Sequence, residues 1–76
     1  MAIDMAKVDE AVLALLYLTL HDGNRAWKTI DFDALNRLHE QGFLMDPVSR
    51  TKSVVLTEKG LSRSEQLAKA LFGKVP

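Results

Sequence analysis

Cysteine is absent from the 76-residue chain, which excludes disulfides, thiolate zinc sites and thiol catalysis. Proline and glycine are scarce, at two and four residues, and no linker, repeat or low-complexity stretch divides the chain. Residues 1–76 therefore read as a single domain. A membrane-spanning helix needs about twenty apolar residues, whereas the longest apolar run, AVLALLYLTL at residues 11–20, has ten. The opening MAIDMAKVDE has no basic segment ahead of an apolar one, so no secretion signal is read and a cytoplasmic protein is expected. Net charge is also missing: ten bases balance ten acids, which gives no general attraction to nucleic acid or to anionic lipid.

Catalytic patterns are missing as well. No G-x-G-x-x-G or G-x-x-x-x-G-K-[ST] loop occurs to hold phosphate, and GLSRS at residues 60–64 lacks the second glycine of a nucleophile elbow. His21 and Asp22 form an HD pair. The only other histidine is His39, so the ligand set of a metal-dependent phosphohydrolase is lacking. No catalytic residue, metal site, cofactor or small-molecule substrate is inferred.

The charge that is present is unevenly placed. Residues 1–46 hold eight acids and four bases, and residues 47–76 hold six bases and two acids. The chain therefore has an acidic first part and a basic last part.

Asp4 is suited to cap a first helix, with Asp9 and Glu10 in early turns where negative charge suits the helix dipole, and Gly23 is placed to stop it. This helix carries two apolar stripes. Val8, Ala11, Val12, Leu15, Leu18 and Thr19 form one; Leu13, Leu16, Tyr17 and Leu20 form the other. A short chain has few elements with which to cover both. The expectation is a homodimer with Leu13, Leu16, Tyr17 and Leu20 at the interface; the alternative is a central helix wrapped by its own chain.

Further along, RAWKTI reads as a brief strand. Trp27 either covers the end of the core, with Lys28 beside it pointing to water, or stands exposed as an interface anchor; the first reading is preferred. DFDALNRLHEQG predicts a second helix, capped by Asp31, stapled by Ile30 on Leu35 and ended by Gly42, with Leu38 and Phe43 spaced for the accompanying apolar contact. Its buried face is expected to hold Phe32, Ala34, Leu35 and Leu38, and its outer face Asp33, Asn36, Arg37 and Glu40, with His39 at the boundary. A β-hairpin is expected from Phe43 to Leu56, with Pro47 in a turn and a basic tip. Thr57 caps a final helix whose apolar face is Leu61, Ser64, Leu67, Ala68, Leu71 and Phe72, ended by Gly73. Gly60 in its first turn costs about 1 kcal/mol against alanine, which points to close packing or a loosened turn.

LNRLHEQGFL, the hairpin and SVVLTEKGLSRSEQLAKAL together resemble the recognition helix, wing and following helix of winged helix-turn-helix regulators of the MarR and PadR type. The segments LALLYLTLHDG, RAW and LHEQG are similar to those of a small bacterial family of uncharacterised proteins. The first resemblance implies an α+β, winged-helix-like domain and a DNA-associated regulatory role. Arg37, Arg50, Lys52, Lys59 and Arg63 would then be the nucleic-acid contacts. Only GNRAWKTI separates the first helix from Asp31, however, so the helix that normally supports the recognition helix is missing, and the outer face of the second helix has two acids against one base. The expectation is a non-catalytic binding module, with duplex DNA as partner; the alternative is a homodimeric protein-interaction module on the same scaffold without DNA binding.

Overall fold

The computed structural model describes residues 1–28, 31–48 and 51–74. It is α+β, with three helices and a two-stranded antiparallel sheet, consistent with a winged-helix-like layout. The order is α1 (Met5–Leu18), β1 (Arg25–Trp27), α2 (Phe32–Glu40), β2 (Ser53–Val55) and α3 (Glu58–Phe72).

Each helix starts where a short polar side chain can accept from its free N–H groups. Asp4 takes the N–H of Ala6 at 3.0 Å and of Lys7 at 3.3 Å, Asp31 takes that of Ala34 at 3.2 Å, and Thr57 takes that of Gly60 at 3.0 Å. Such caps are each worth about 1 kcal/mol. The Thr57 hydroxyl also donates to the Gly42 carbonyl at 2.6 Å, which ties the start of α3 to the end of α2. The expected staple of Ile30 on Leu35 lies outside the described residues.

α2 ends as its sequence predicts. Gly42 has φ 84°, the Phe43 N–H reaches the Leu38 carbonyl at 3.0 Å, and the Gly42 N–H reaches that of His39 at 2.9 Å. These are the two bonds of a Schellman stop. α1 ends earlier than expected: the helix stops at Leu18 and Thr19 closes it. Gly23 shapes a turn instead. Asp22 and Gly23 both take positive φ, at 51° and 85°, and His21 and Arg25 exchange backbone hydrogen bonds of 2.8 and 3.0 Å across them.

That turn feeds β1 into the sheet, which alters the expected hairpin. β2 pairs regularly with β1, in the register Arg25 to Val55, Ala26 to Val54 and Trp27 to Ser53. Against the chain that follows α2 it keeps only a bridge between Leu44 and Leu56, flanked by bonds from Met45 to Val55 and from Thr57 to Phe43. One edge of β2 is thus satisfied by β1. The chain leaves the other edge before Pro47, which cannot donate to a ladder and is buried.

The core gathers leucines from every helix and from the sheet region: Leu13 and Leu16, Leu35 and Leu38, Leu44 and Leu56, and Leu67. Full burial of such a side chain contributes about 1.5–3 kcal/mol. α1 packs chiefly on α3, and also on α2 and β1. Gly60 lies where α3 meets the end of α2; a Cβ there would run into the Phe43 carbonyl. The expected apolar faces are trimmed at their ends, because Phe32, Leu71 and Phe72 are exposed. They sit in the first turn of α2 and the last turn of α3, beyond the reach of the neighbouring elements. Among the described residues no helix is long and apolar enough to cross a membrane.

Candidate functional site

Arg37 does not face outward as expected. α2 carries it toward α1, where its Nε donates to both carboxylate oxygens of Asp9, at 3.0 and 2.8 Å, and its Nη2 donates to Oδ1 at 2.7 Å. The Asp9 side chain is 6% exposed and that of Arg37 31%. The hydrogen bond to Asp9 raises the Arg37 pKa above its ordinary value, and the neighbouring charges of Asp9, Asp31 and Asp33 add to the rise. A buried carboxylate needs this partner because desolvation would otherwise be uncompensated. The exposed remainder of that face is Asp33, Asn36 and Glu40, which is acidic. Sequence reasoning placed Asp9 only as a charge suited to the helix dipole. The signal that could have found its role is its spacing, four and seven residues before Leu13 and Leu16 on the core-facing stripe.

The other cations assigned to nucleic acid do not converge. Arg50 lies outside the described residues. Lys52 is exposed at the start of β2. Lys59 Nζ donates to the Gln41 carbonyl at 3.0 Å and sits 4.9 Å from the centre of the Phe43 ring, so its charge complements the negative end of α2. Arg63 is half-buried and its Nη1 donates to Gln66 Oε1 at 3.4 Å. It borders a cavity of about 160 Å³ with Asp9, Glu10, Gln41, Leu13 and Leu67. Among the described residues no buried polar side-chain atom lacks a partner.

The two stripes of α1 are distributed opposite to expectation. Leu13 and Leu16 are buried in the chain's own core, and Tyr17 and Leu20 are half-buried against it. They are core residues because α2 and α3 close over them. Most of the first stripe turns outward: Leu15 is 48% and Leu18 61% exposed, with Val8 and Ala11 half-buried beside them and Met5 exposed one turn before Val8, whereas half-buried Val12 packs against the core.

A second apolar feature lies on the sheet. Trp27 is 54% exposed, so it is not the core cover that was preferred. Its ring stacks on His21, with centroids 4.4 Å apart and planes 26° from parallel. His21 Nδ1 donates to the Thr19 carbonyl at 3.0 Å, and the Trp27 N–H donates to Thr19 Oγ1 at 3.2 Å. Arg25 and Trp27 are both exposed on either side of buried Ala26, so they share the outer face of β1. His39, by contrast, is half-buried and donates from Nδ1 to the Leu44 carbonyl at 2.9 Å, a boundary residue as expected. Among the described residues no three His, Asp or Glu side chains are grouped as a metal ion would require.

A family model described as "Domain of unknown function (DUF6429)" matches residues 4–74. A relative described as "Uncharacterized protein y4hR", from Sinorhizobium fredii (strain NBRC 101917 / NGR234), is 56% identical over 72 residues, which cover 95% of this chain and 97% of the relative. No solved structure matches.

Proposed function

The chain belongs to the DUF6429 family of unknown function, and we propose from its geometry that it is a small non-catalytic binding module that works as a homodimer, joined through the outward stripe of α1. One observation carries this reading: Leu15 and Leu18 are about half exposed or more, in line with Met5, Val8 and Ala11, on a helix whose opposite face already fills the core. Apolar surface of this kind gains free energy by leaving water, and contiguous exposed stripes mark interaction surfaces. The stripe carries no charge, and the whole chain is neutral, so two copies meet without long-range repulsion. From Met5 to Leu18 it spans ~20 Å, a small interface suited to a dimer of modest affinity.

Duplex recognition through α2 draws less support, because phosphate contacts need free cations. The arginine of that helix is held by Asp9, and its exposed neighbours are acidic.

Sedimentation equilibrium tests the dimer. The wild-type chain should sediment as a dimer at micromolar concentration, and the exposed-site variants Leu15→Glu and Leu18→Glu should sediment as monomers with unchanged far-UV circular dichroism. A wild-type chain that stays monomeric throughout that range would defeat the reading.

A further inference from the structure

The outer face of the sheet adjoins the C-terminal end of α1 at Thr19 and combines three properties. It has a large exposed aromatic ring, that ring is fixed in place, and free cations border it. Trp27 supplies the ring. Its position is set by strand pairing with Ser53, by the bond from its N–H to Thr19 Oγ1 and by the stack on His21, itself anchored to the Thr19 carbonyl. A ring held this way loses little freedom when a second planar group lies on it.

Arg25 lies two residues back on the same strand face, about 7 Å along the strand. Lys52 precedes Ser53, the residue paired with Trp27, so it stands just past the end of β2, alternating to the other side of the sheet from the ring. Both are exposed, and neither side chain makes a hydrogen bond or ion pair among the described residues. Lys28 follows Trp27, and its N–H bonds to the Lys52 carbonyl at 2.9 Å, which brings the third cation to the same end of the sheet. The acids closest to them in the chain are Asp22, three residues before Arg25, and Asp31, three residues after Lys28.

We infer that this face binds single-stranded nucleic acid, with one base stacked on Trp27, one adjoining phosphate held by Arg25 on the same face and a second by Lys52 reaching round the end of the sheet. An aromatic platform beside cations is the minimal arrangement for such a ligand: the ring accepts any base, and the cations follow the backbone. The cations answer the charge of the phosphates, which an uncharged apolar partner would not need. A single strand fits better than a duplex because a base must offer its flat face, which in a duplex is already covered by its neighbours. The inference does not depend on the α1 dimer; a dimer would present the face twice.

Trp27 is the only tryptophan, so its fluorescence reports on the site directly. Titration with a short oligothymidylate should quench it saturably at low salt. With two phosphate contacts the affinity should fall with salt at a log–log slope of roughly −1.4. The Arg25→Ala, Lys52→Ala double variant should flatten that slope. By anisotropy of a labelled strand, Trp27→Ala should weaken binding roughly 5- to 150-fold, which is the range for loss of one stacked base, and Trp27→Phe should recover most of the loss. Because the Phe variant keeps an aromatic ring and the cation variants leave Trp27 intact, they remain decisive if Trp27→Ala folds poorly. The inference is overturned by absence of quenching at low salt, by equal binding of a duplex of the same length, or by equal quenching with inorganic phosphate or polyglutamate, which would show a simple anion or acidic-peptide surface.

Discussion

Gly60 sets helix propensity against packing within one residue. In an exposed helix, alanine would be favoured over glycine by up to about 1 kcal/mol. Here a methyl group would enter the space of the Phe43 carbonyl, and backbone cannot move aside as a flexible side chain can. Gly60→Ala should therefore destabilise the protein, by about 1–3 kcal/mol as for other overpacked sites; a urea unfolding curve shifted to higher midpoint would refute the close approach. The pair formed by Asp9 and Arg37 makes an equally specific prediction. Arg37→Ala leaves a buried carboxylate alone, whereas Asp9→Ala leaves a guanidinium that still reaches water, so the first variant should melt lower than the second. Equal melting temperatures would show that burial of Asp9 is unimportant. The sign of the pH effect follows from the raised pKa of Arg37. Its contribution is complete below the ordinary arginine value and is lost only as pH rises through the still higher folded value, so the arginine brings no loss of stability across the neutral range.

At the scale of the element, α1 has two apolar faces with different tasks. Leu13 is almost fully buried, at 1% exposure, and Leu15, two residues on, is about half exposed. Leu13→Ala should cost about 2–5 kcal/mol of folding stability through lost transfer energy and the cavity left behind. Leu15→Ala should change the stability of the monomer by no more than about 0.5 kcal/mol. Chemical denaturation of both variants at low protein concentration measures the difference, and comparable losses would mean that α1 is turned the other way. α2 and α3 illustrate how local chemistry sets element ends. Their caps, Asp31 and Thr57, and the Schellman stop at Gly42 are each bonded as the side chains and backbone require, so those ends were readable in advance.

For the molecule as a whole, a single small core supports the fold, and any interface that binds only folded chains adds to stability by mass action. Thermal melting of the wild-type chain should therefore shift upward with protein concentration, and that dependence should vanish in Leu18→Glu. A melting temperature independent of concentration in the wild type would count against the dimer. The separation of charge between the acidic first part and the basic last part of the chain does not produce a single basic face, because folding disperses the cations. Arg37 is turned onto Asp9, Lys59 onto the end of α2, and Lys52 to the end of the sheet beside Lys28.

The α+β class, the three helices, the strand at RAW and the capping residues were determined by the sequence alone, because they rest on periodicity and on side chains that bond within a few residues of themselves. Tertiary structure alone decided the rest. Which stripe of α1 fills the core depends on where α2 and α3 pack, and two apolar stripes on one helix give the sequence no means of choosing. The partner of β2 was hidden for the same reason: β1 lies nearly thirty residues away, and a hairpin is the only pairing that nearby residues can announce. Arg37 meets Asp9 across 28 positions of the chain, so its loss from the outer face could not be seen locally. The exposed ring of Trp27 follows from the turn at Asp22 and Gly23, whose positive φ values bring His21 back beside the strand.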